Sequence, residues 1–507
     1  MSLRAAVTKS LSDWPLLTAI GICLVATALR IPPLGESLWL DELHTAWCAL
    51  GPLDEVARRA AIGNQGPLFY WLEWLQVVIL GESEVALRLP SLVAGTLLPL
   101  LLFRLARRWK ADTAGVVAAG LIAVDPLSIF YSTEARPYAI VQLLAVVFMA
   151  VTAQVAEKPS VKLRIAWILL AAALFHLHYT SALVVAAAAV FLASTLVLRR
   201  KPLLLAGLIV DLLVLAIVCS LALANVSHIL AHRSNWTFVR RLPLWDAIQW
   251  TPLPTWAWLI LVSAAVISWW LSPNKSNQNS RPQTLLLVVA WLAIPLITGW
   301  VLTSTDFARL FFHRYVAAAF PAAALLAGFC VEAIPGHRLK SVVAISTVGI
   351  ALFSGGIIDQ VRLDGRVIAD RNEDWRSCVE WLNERVPAAG YPVLVYSGLI
   401  EADELMKPHD PLLDNYCLCP VDSLYMLDVA PTDLFPLSMH NPDELPATAE
   451  QLAVHRGGCW LVVRGTKELA ENIAIPIGKK LQPTMPKRGG FSIQSFGKVQ
   501  VVLFQFE

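Results

Sequence analysis

Residues 66–80 read GPLFYWLEWLQVVIL, and whether this piece crosses a membrane decides the topology of the whole chain. It is short, crowded with aromatic residues, and carries Glu73 and Gln76 inside it. Around it, apolar runs of the length that spans a bilayer as a helix, roughly 17–25 residues, recur from Leu16 to Ile358. They read as spans over Trp14–Ile31, Leu87–Leu105, Thr113–Phe130, Pro137–Ala156, Leu163–Phe175, Tyr179–Leu198, Leu203–Ala224, Thr255–Leu271, Thr284–Thr303, Arg314–Ile334 and Leu339–Ile358. Of the 507 residues 57% are hydrophobic and only 15% charged, against about 25% charged in a soluble domain. The composition therefore predicts a polytopic α-helical membrane protein.

Charge bias places residues 66–80. If the piece does not cross, the basic loops Arg104–Lys110, Lys158–Arg164, Arg199–Lys201, Lys275–Arg281 and Arg338–Lys340 all share the side of Arg4 and Lys9. If it crosses, the Arg104–Lys110 loop moves outside and the later loops follow. The excess of Lys and Arg in cytoplasmic loops favours the first arrangement. Residues 66–80 are then an interfacial helix on the outer leaflet, with aromatic side chains at headgroup level. About eleven crossings remain, with a cytoplasmic N-terminus and an extracytoplasmic C-terminus. Ala26-Thr27-Ala28 loosely resembles a signal-peptidase site, but the run from Trp14 is long enough to span, so an uncleaved first helix in the cell (inner) membrane is preferred.

Composition divides the chain near Asp359. Residues 1–358 form the transmembrane domain, with a first outer loop 32–86 and a long outer loop 225–254; residues 359–507 read as an extracytoplasmic α/β domain. There, Asp374–Leu382 has helical apolar spacing, Val393–Tyr396 and Trp460–Val463 look like buried strands, and Ser492–Phe506 looks like a hairpin turning at Gly497-Lys498. Residues 274–280 form a short polar loop. No zinc-like or redox CxxC spacing occurs, and Cys378, Cys417, Cys419 and Cys459 are open to one or two disulfides in an oxidising compartment. A net charge of +2 gives no reason to expect nucleic acid as a partner; membrane lipids are the expected surroundings.

At the inner ends of the spans the polar residues are nearly all Lys and Arg. The outer ends carry a mixture: Asp41 and Glu42 in SLWLDELHT (37–45), YSTEARPY (131–138), HLHY (176–179), Arg233, Arg240 and Arg241, and HRY (313–315). Ionisable groups at membrane depth are costly unless they pair or face a wet cavity. Their gathering on one face is the layout of an active site at the membrane surface; separately solvated loops are the plainer reading.

Four of these pieces carry a resemblance. SLWLDELHTA (37–46), the long run 66–109, DPLSIFYSTEARPYAI (125–140) and, more weakly, HRYVAAAFPAAALLAG (313–328) resemble the GT-C superfamily of polytopic glycosyltransferases. The likeness is to the bacterial branch similar to dolichyl-phosphate-mannose protein mannosyltransferases, aminoarabinose transferases and Rgt-type galacturonosyltransferases. It covers the first 200 residues or so, and the rest loosely. It implies transfer of a sugar from a polyprenyl-phosphate donor to an acceptor outside the cytoplasm, whether lipid, polysaccharide or protein. One motif departs: many relatives have His-Pro-Pro-Leu or Lys-Pro-Pro-Leu where this chain has Gln65-Gly66-Pro67-Leu68.

The chemistry asks for a particular inventory. A hydroxyl nucleophile gains about 10²–10⁴ in rate from a positioned general base. A lipid phosphate leaves as a stable anion and needs positive charge, not an acid, and Arg suits it best. By resemblance Asp41 matches the catalytic acid and is assigned as general base for a single inverting displacement, with Glu42 at the second acidic position. The alternatives are a helix cap for Asp41 and a solvated first-turn residue for Glu42. Glu134, Arg136 and Tyr138 match the loop after the third span; Arg136 is open to donor phosphate or to an ion pair with Asp41 or Glu134. His178 is a candidate for a substrate hydroxyl or a packed histidine, and its i, i+2 spacing from His176 disfavours a metal. Arg240 and Arg241 are candidates for donor phosphate, and Arg314 for phosphate or an interfacial anchor. No cofactor is required; a divalent cation at Asp41 and Glu134 is conceivable because hard cations favour carboxylates. The rival readings are a transporter or flippase, and a non-catalytic envelope scaffold. The sequons at Asn225 and Asn235 carry little information.

Overall fold

A computed structural model describes residues 13–231, 233, 239–271, 281–386, 390–399, 411–438, 441–481 and 490–505. Arg4, Lys9, the Asn235 sequon and the 274–280 loop lie outside the described residues. The chain forms two compact units. The first is built from segments up to Leu34, Asn64–Phe69 and Arg88–Ala369, and the second from Gly35–Gly63, Tyr70–Leu87 and Asp370–Glu507.

The first unit is helical. Among the described residues, six helices are long and apolar enough to cross a membrane, or nine when each of three bent pairs counts as one span. The eleven expected crossings also included the shorter helices Val161–Leu177 and Phe320–Glu332. The expected span Arg314–Ile334 begins late. Residues 311–316 are not helical, and the α-helix starts at Phe320 with Pro321 in its first turn, where a missing N–H costs nothing.

The expected span Thr113–Phe130 is broken. Asp125 caps a second short helix, Pro126–Ser132, its Oδ2 accepting the Ser128 N–H at 2.8 Å, and the two halves meet at 68°. Leu244–Trp250 and Thr255–Leu271 meet at 96°, and His337–Ser354 and Ile357–Asp364 at 40°.

Side chains tie the helix ends together. At one end Arg107 pairs with Asp13 at 2.6 Å, Lys340 with Glu332 at 2.7 Å, and Arg199 donates to the Ala156 carbonyl and to Gln283, both at 2.6 Å. The helix Tyr138–Glu157 has Ala156 at this basic end and Tyr138 at the other. Tyr131, His178 and the 313–315 stretch gather around Tyr138 at that second end.

The second unit contains a five-stranded sheet. Its strands are β1 (Val393–Tyr396), β2 (Leu434–Pro436), β3 (Gly458–Arg464), β4 (Gly490–Phe496) and β5 (Val499–Gln505), in the order β2-β1-β3-β5-β4. β1 runs parallel to β2 and β3, with Val393 opposite Leu434 and Trp460; β5 is antiparallel to β3 and β4. A strand buried on both faces reads as a continuous apolar run, as Val-Leu-Val-Tyr does in β1. On one face Leu394, Leu461, Val463 and Phe504 pack with the helices Ala447–Arg456 and Lys467–Leu481. The helix Trp375–Asn383 buries Trp375, Cys378, Val379 and Leu382, and its Trp381 meets Trp460 edge-on at 5.8 Å. The β4–β5 turn is at Gly497-Lys498, with Gly497 at φ 64°. The short edge strand β2 had no signal strong enough to read.

Cys378, Cys417, Cys419 and Cys459 are all free and buried, so the disulfides they were open to are absent. Each sits in its own packing; Cys419 Sγ, for one, lies 3.4 Å from the Leu43 carbonyl oxygen. Burial pushes the thiols of Cys417, Cys419 and Cys459 up to about 12.

Candidate active site

The stretch SLWLDELHT lies in the second unit, and there the reason for its form is visible. Asp41 and Glu42 occupy the second and third positions of the helix Leu40–Ala49, whose N-cap is Trp39. The first N–H groups of a helix have no partner within it. Here the amides leading into the helix, from Leu38 to Leu40, are taken one after another by side chains. Leu38 N–H donates to Tyr425 Oη at 2.8 Å, Trp39 N–H to Glu42 Oε2 at 3.5 Å, and Leu40 N–H to Glu373 Oε2 at 3.1 Å. Ser37 Oγ accepts the Trp375 N–H at 3.0 Å. Glu373 Oε1 is gripped by the Arg464 guanidinium at 2.9 and 2.6 Å. The acceptors for the three successive amides are thus Tyr425, Glu42 and Glu373, and Asp41 is not the capping residue.

Glu42 is fully buried rather than solvated, which corrects the first-turn alternative. Arg371 Nε lies 3.9 Å from it and Arg371 Nη1 lies 2.8 Å from Glu36. Glu73 is buried in the same unit, and neither of its oxygens has a hydrogen-bond partner among the described residues. Burial, and then the negative charge of Glu42, hold its carboxyl well above the usual range. Behind the helix, Trp47 stacks on Tyr416 at 4.3 Å and the Arg59 guanidinium covers the Trp47 ring at 4.7 Å. Asp41 therefore projects from a helix whose far side is packed and whose first turn is fixed.

In the first unit a second group of the expected residues converges. Tyr138 meets Tyr131 at 5.1 Å and His178 at 5.4 Å between ring centroids, and His178 meets Tyr315 at 6.1 Å. Arg136, 5% exposed, approaches the Tyr138 ring, and Arg314 lies over Phe312 at 5.2 Å. Tyr131 Oη is 2.6 Å from His313 Nδ1. Burial first, then the guanidinium groups of Arg136 and Arg314, pull His178 down to about 3. Burial and Arg314 pull His313 down to about 4. Both imidazoles are therefore neutral at physiological pH, and the positive charge of the cluster resides on the two arginines.

The tautomer of His178 follows from its neighbour. Thr180 Oγ1 donates its one proton to the Tyr315 carbonyl at 2.7 Å, so its contact with His178 Nδ1, also 2.7 Å, must be an imidazole N–H donating to the hydroxyl. A neutral ring protonated at Nδ1 leaves Nε2 as an acceptor only. Glu134 is buried beside this group, its carbonyl oxygen accepting the Arg136 N–H at 2.8 Å.

Arg240 and Arg241 are placed differently. Arg241 is exposed and paired with Asp306, which also holds Arg309 at 3.0 Å. Among the described residues neither Arg240 nor Arg241 contacts the Arg136–Arg314–His178 group. Asn225 of the first sequon donates to the Gln65 carbonyl and to Tyr179 Oη, both at 3.0 Å. Beside it, a Cβ on Gly66 would lie 2.4 Å from the His176 carbonyl oxygen, which accounts for glycine where many relatives have proline. No group of three or more His, Cys, Asp and Glu side chains is gathered as for a metal ion among the described residues.

The sequence reading missed Glu373, Tyr425, Arg371 and Thr180, and named His313 only as part of HRY, with no role. His313 stands beside a residue that was singled out; Glu373 and Tyr425 act on Leu40 and Leu38 from more than 300 residues away. No local pattern signals such a contact.

These features define the class: a polytopic helical membrane protein with an α/β unit and a polar cluster at one set of helix ends. The fold is of the GT-C type. It is similar to that of ArnT from Cupriavidus metallidurans in the apo state, with TM-score 0.52 and 13% identity over 97% of this chain and 98% of that one. The same protein bound to undecaprenyl phosphate gives TM-score 0.50 and 13% identity, with the same coverage. Residues 64–221 match the family model of dolichyl-phosphate-mannose-protein mannosyltransferases. No curated protein sequence gives a significant match.

Proposed function

We propose that the chain is an integral-membrane glycosyltransferase. It moves a sugar from a polyprenyl-phosphate donor to an envelope acceptor (lipid, polysaccharide or protein) on the extracytoplasmic face of the cell membrane. The observation that carries this reading is the convergence of Arg136 and Arg314 on a neutral His178 at the ends of apolar helices. Two guanidinium groups, one buried and one half-buried, suit a lipid-borne phosphate. The likeness to a fold solved with undecaprenyl phosphate, and to the mannosyltransferase family model, supports the same choice.

The acceptor oxygen attacks the anomeric carbon, its proton passes to Asp41, and the bond from that carbon to the phosphate oxygen breaks. A single displacement inverts the centre. The departing lipid phosphate is held by Arg136 and Arg314, which lie beside His178, whereas Arg241 is paired with Asp306. His178 Nε2 accepts from a substrate hydroxyl, Tyr138 and Glu134 shape the pocket around Arg136, and Glu42 with Arg371 fixes the turn that carries Asp41. The negative charge that grows on the departing phosphate is met by the two guanidinium groups.

The test is comparative mass spectrometry of envelope lipids, polysaccharides and glycoproteins from cells carrying wild-type protein or Asp41→Asn at equal expression. A species lighter by one sugar in the variant supports the reading and identifies sugar and acceptor. Identical profiles with a folded variant refute it.

A further inference from the structure

The three bent helix pairs of the first unit do not break at scattered places. Asp125-Pro126-Leu127, residues 248, 249 and 251–255, and Ser354-Gly355 together line one open cavity of about 390 Å³. These segments hold all three breaks, of 68°, 96° and 40°. Irregular backbone at membrane depth is tolerated where it is buried in protein or lines a cavity, because its polar groups need partners. In secondary transporters, helices interrupted in this way form substrate sites. The volume falls within the roughly 300–1,000 Å³ of small-molecule pockets.

The backbone beneath the first break is satisfied from behind the cavity. Arg30, fully buried, donates to the Ile122 and Ala123 carbonyls and to Ser128 Oγ at 3.1–3.2 Å, which satisfies the end of the Asp112–Val124 helix. Asp125, 5% exposed, caps the next helix and lines the cavity. Thr251 is occupied with Ile248, Leu253 and Trp258. Among the described residues Gln249, Thr255 and Ser354 make no side-chain hydrogen bond, and all three line the cavity. No Lys, Arg or His lines it.

A carboxyl group with an amide and hydroxyls, set among proline and leucine walls with no basic side chain, is unsuited to a phosphate. It suits a neutral ring that offers hydroxyl groups on its edge and C–H bonds on its face. The geometry points to a subsite for the hydroxyl groups of a sugar at the three helix breaks, bounded by Asp125, Gln249, Thr255 and Ser354. Tyr131 of the phosphate cluster lies roughly 8 Å from Pro126 along the short helix Pro126–Ser132. Trp250, between two lining residues, packs on Phe311 at 4.7 Å and His313 at 6.3 Å. The sugar is that of the lipid-linked donor or that of a glycan acceptor. This assignment rests on the glycosyltransferase reading for its place in a reaction, but not for the binding itself.

Binding is measured on the full chain in nanodiscs, by saturation-transfer NMR with a panel of neutral methyl glycosides. The proteins are wild type, Gln249→Ala, Ser354→Phe and Asp41→Asn. Transfer to sugar ring protons is expected with wild type and Asp41→Asn. It should be weaker by about fivefold in Gln249→Ala, the cost of one lost hydrogen bond, and lost in Ser354→Phe, with thermal stability unchanged in both. Where turnover is established, a raised KM for donor alone assigns the donor's sugar, and a raised KM for acceptor alone the acceptor's. Equal transfer in all four proteins, or none in wild type, overturns the subsite. If the envelope profile ignores Asp41→Asn while glycoside binding still fails in the cavity variants, the enzyme reading falls and the subsite stands.

Discussion

Replacing Glu373 should disturb Asp41 although the two are far apart in sequence. The Glu373 side chain is 1% exposed and its partner Arg464 24%. One carboxylate oxygen takes the Leu40 N–H and the other takes the guanidinium. Glu373→Ala therefore removes a charge-assisted bond at the first turn of the Asp41 helix and leaves a largely buried arginine unpaired. Breaking a buried pair costs about 3–5 kcal/mol. Arg464 is a quarter exposed and recovers part of its hydration, so about 2–4 kcal/mol is expected. At about 2–4 °C per kcal/mol for a unit of this size, the unfolding midpoint should fall by roughly 5–15 °C. Glu373→Gln keeps an acceptor for Leu40 and loses only the charge, at about 1–2 kcal/mol.

The assay is thermal unfolding of the full chain in one detergent, followed by tryptophan fluorescence, with sugar transfer measured below the transition. A purely structural role predicts full turnover at low temperature in Glu373→Gln. Positioning of Asp41 predicts a reduced kcat with KM for the donor unchanged. An unfolding midpoint for Glu373→Ala equal to that of wild type would refute the reasoning, because it would mean that the Leu40 and Arg464 contacts contribute nothing.

Two further outcomes are expected. Gly66→Ala, or Gly66→Pro in imitation of relatives, places a carbon 2.4 Å from the His176 carbonyl; overpacking of this kind costs about 1–3 kcal/mol, read as a lower unfolding midpoint. Acidification should also destabilise the chain. His178 and His313 are held near 3 and 4 when folded and return to about 6.5 when unfolded, so below pH 6.5 the unfolded state binds more protons. Stability is then full above pH 6.5, falls as pH drops toward 4, and levels below about 3. Replacing both histidines by asparagine should flatten that fall, as followed by unfolding midpoint against pH.

What the sequence made legible follows from the range of the forces involved. Hydropathy is local, so the apolar helices, the strand Val393–Tyr396 and the Gly497 turn could be read directly. The helix breaks were legible too, had the local signals been given more weight than hydropathy. Asp125-Pro126 is a cap followed by a first-turn proline, Gly355-Gly356 ends a helix in a left-handed residue, and Pro321 starts one. A hydropathy window averages over such punctuation and reports one continuous span. The arginine–histidine cluster was half legible: Arg136, Tyr138, His178 and Arg314 were named singly, but Arg240 and Arg241 stood equal with them, because charge alone does not show that Asp306 already holds Arg241. Least legible was the support of Asp41. The motif SLWLDELHT contains two carboxylates in one helical turn, and nothing within it says that Glu42 turns back to accept the Trp39 N–H. Glu373 and Tyr425, which take the Leu40 and Leu38 amides from more than 300 residues away, fix the start of that helix, so the local motif names the candidates and only the fold shows what holds them.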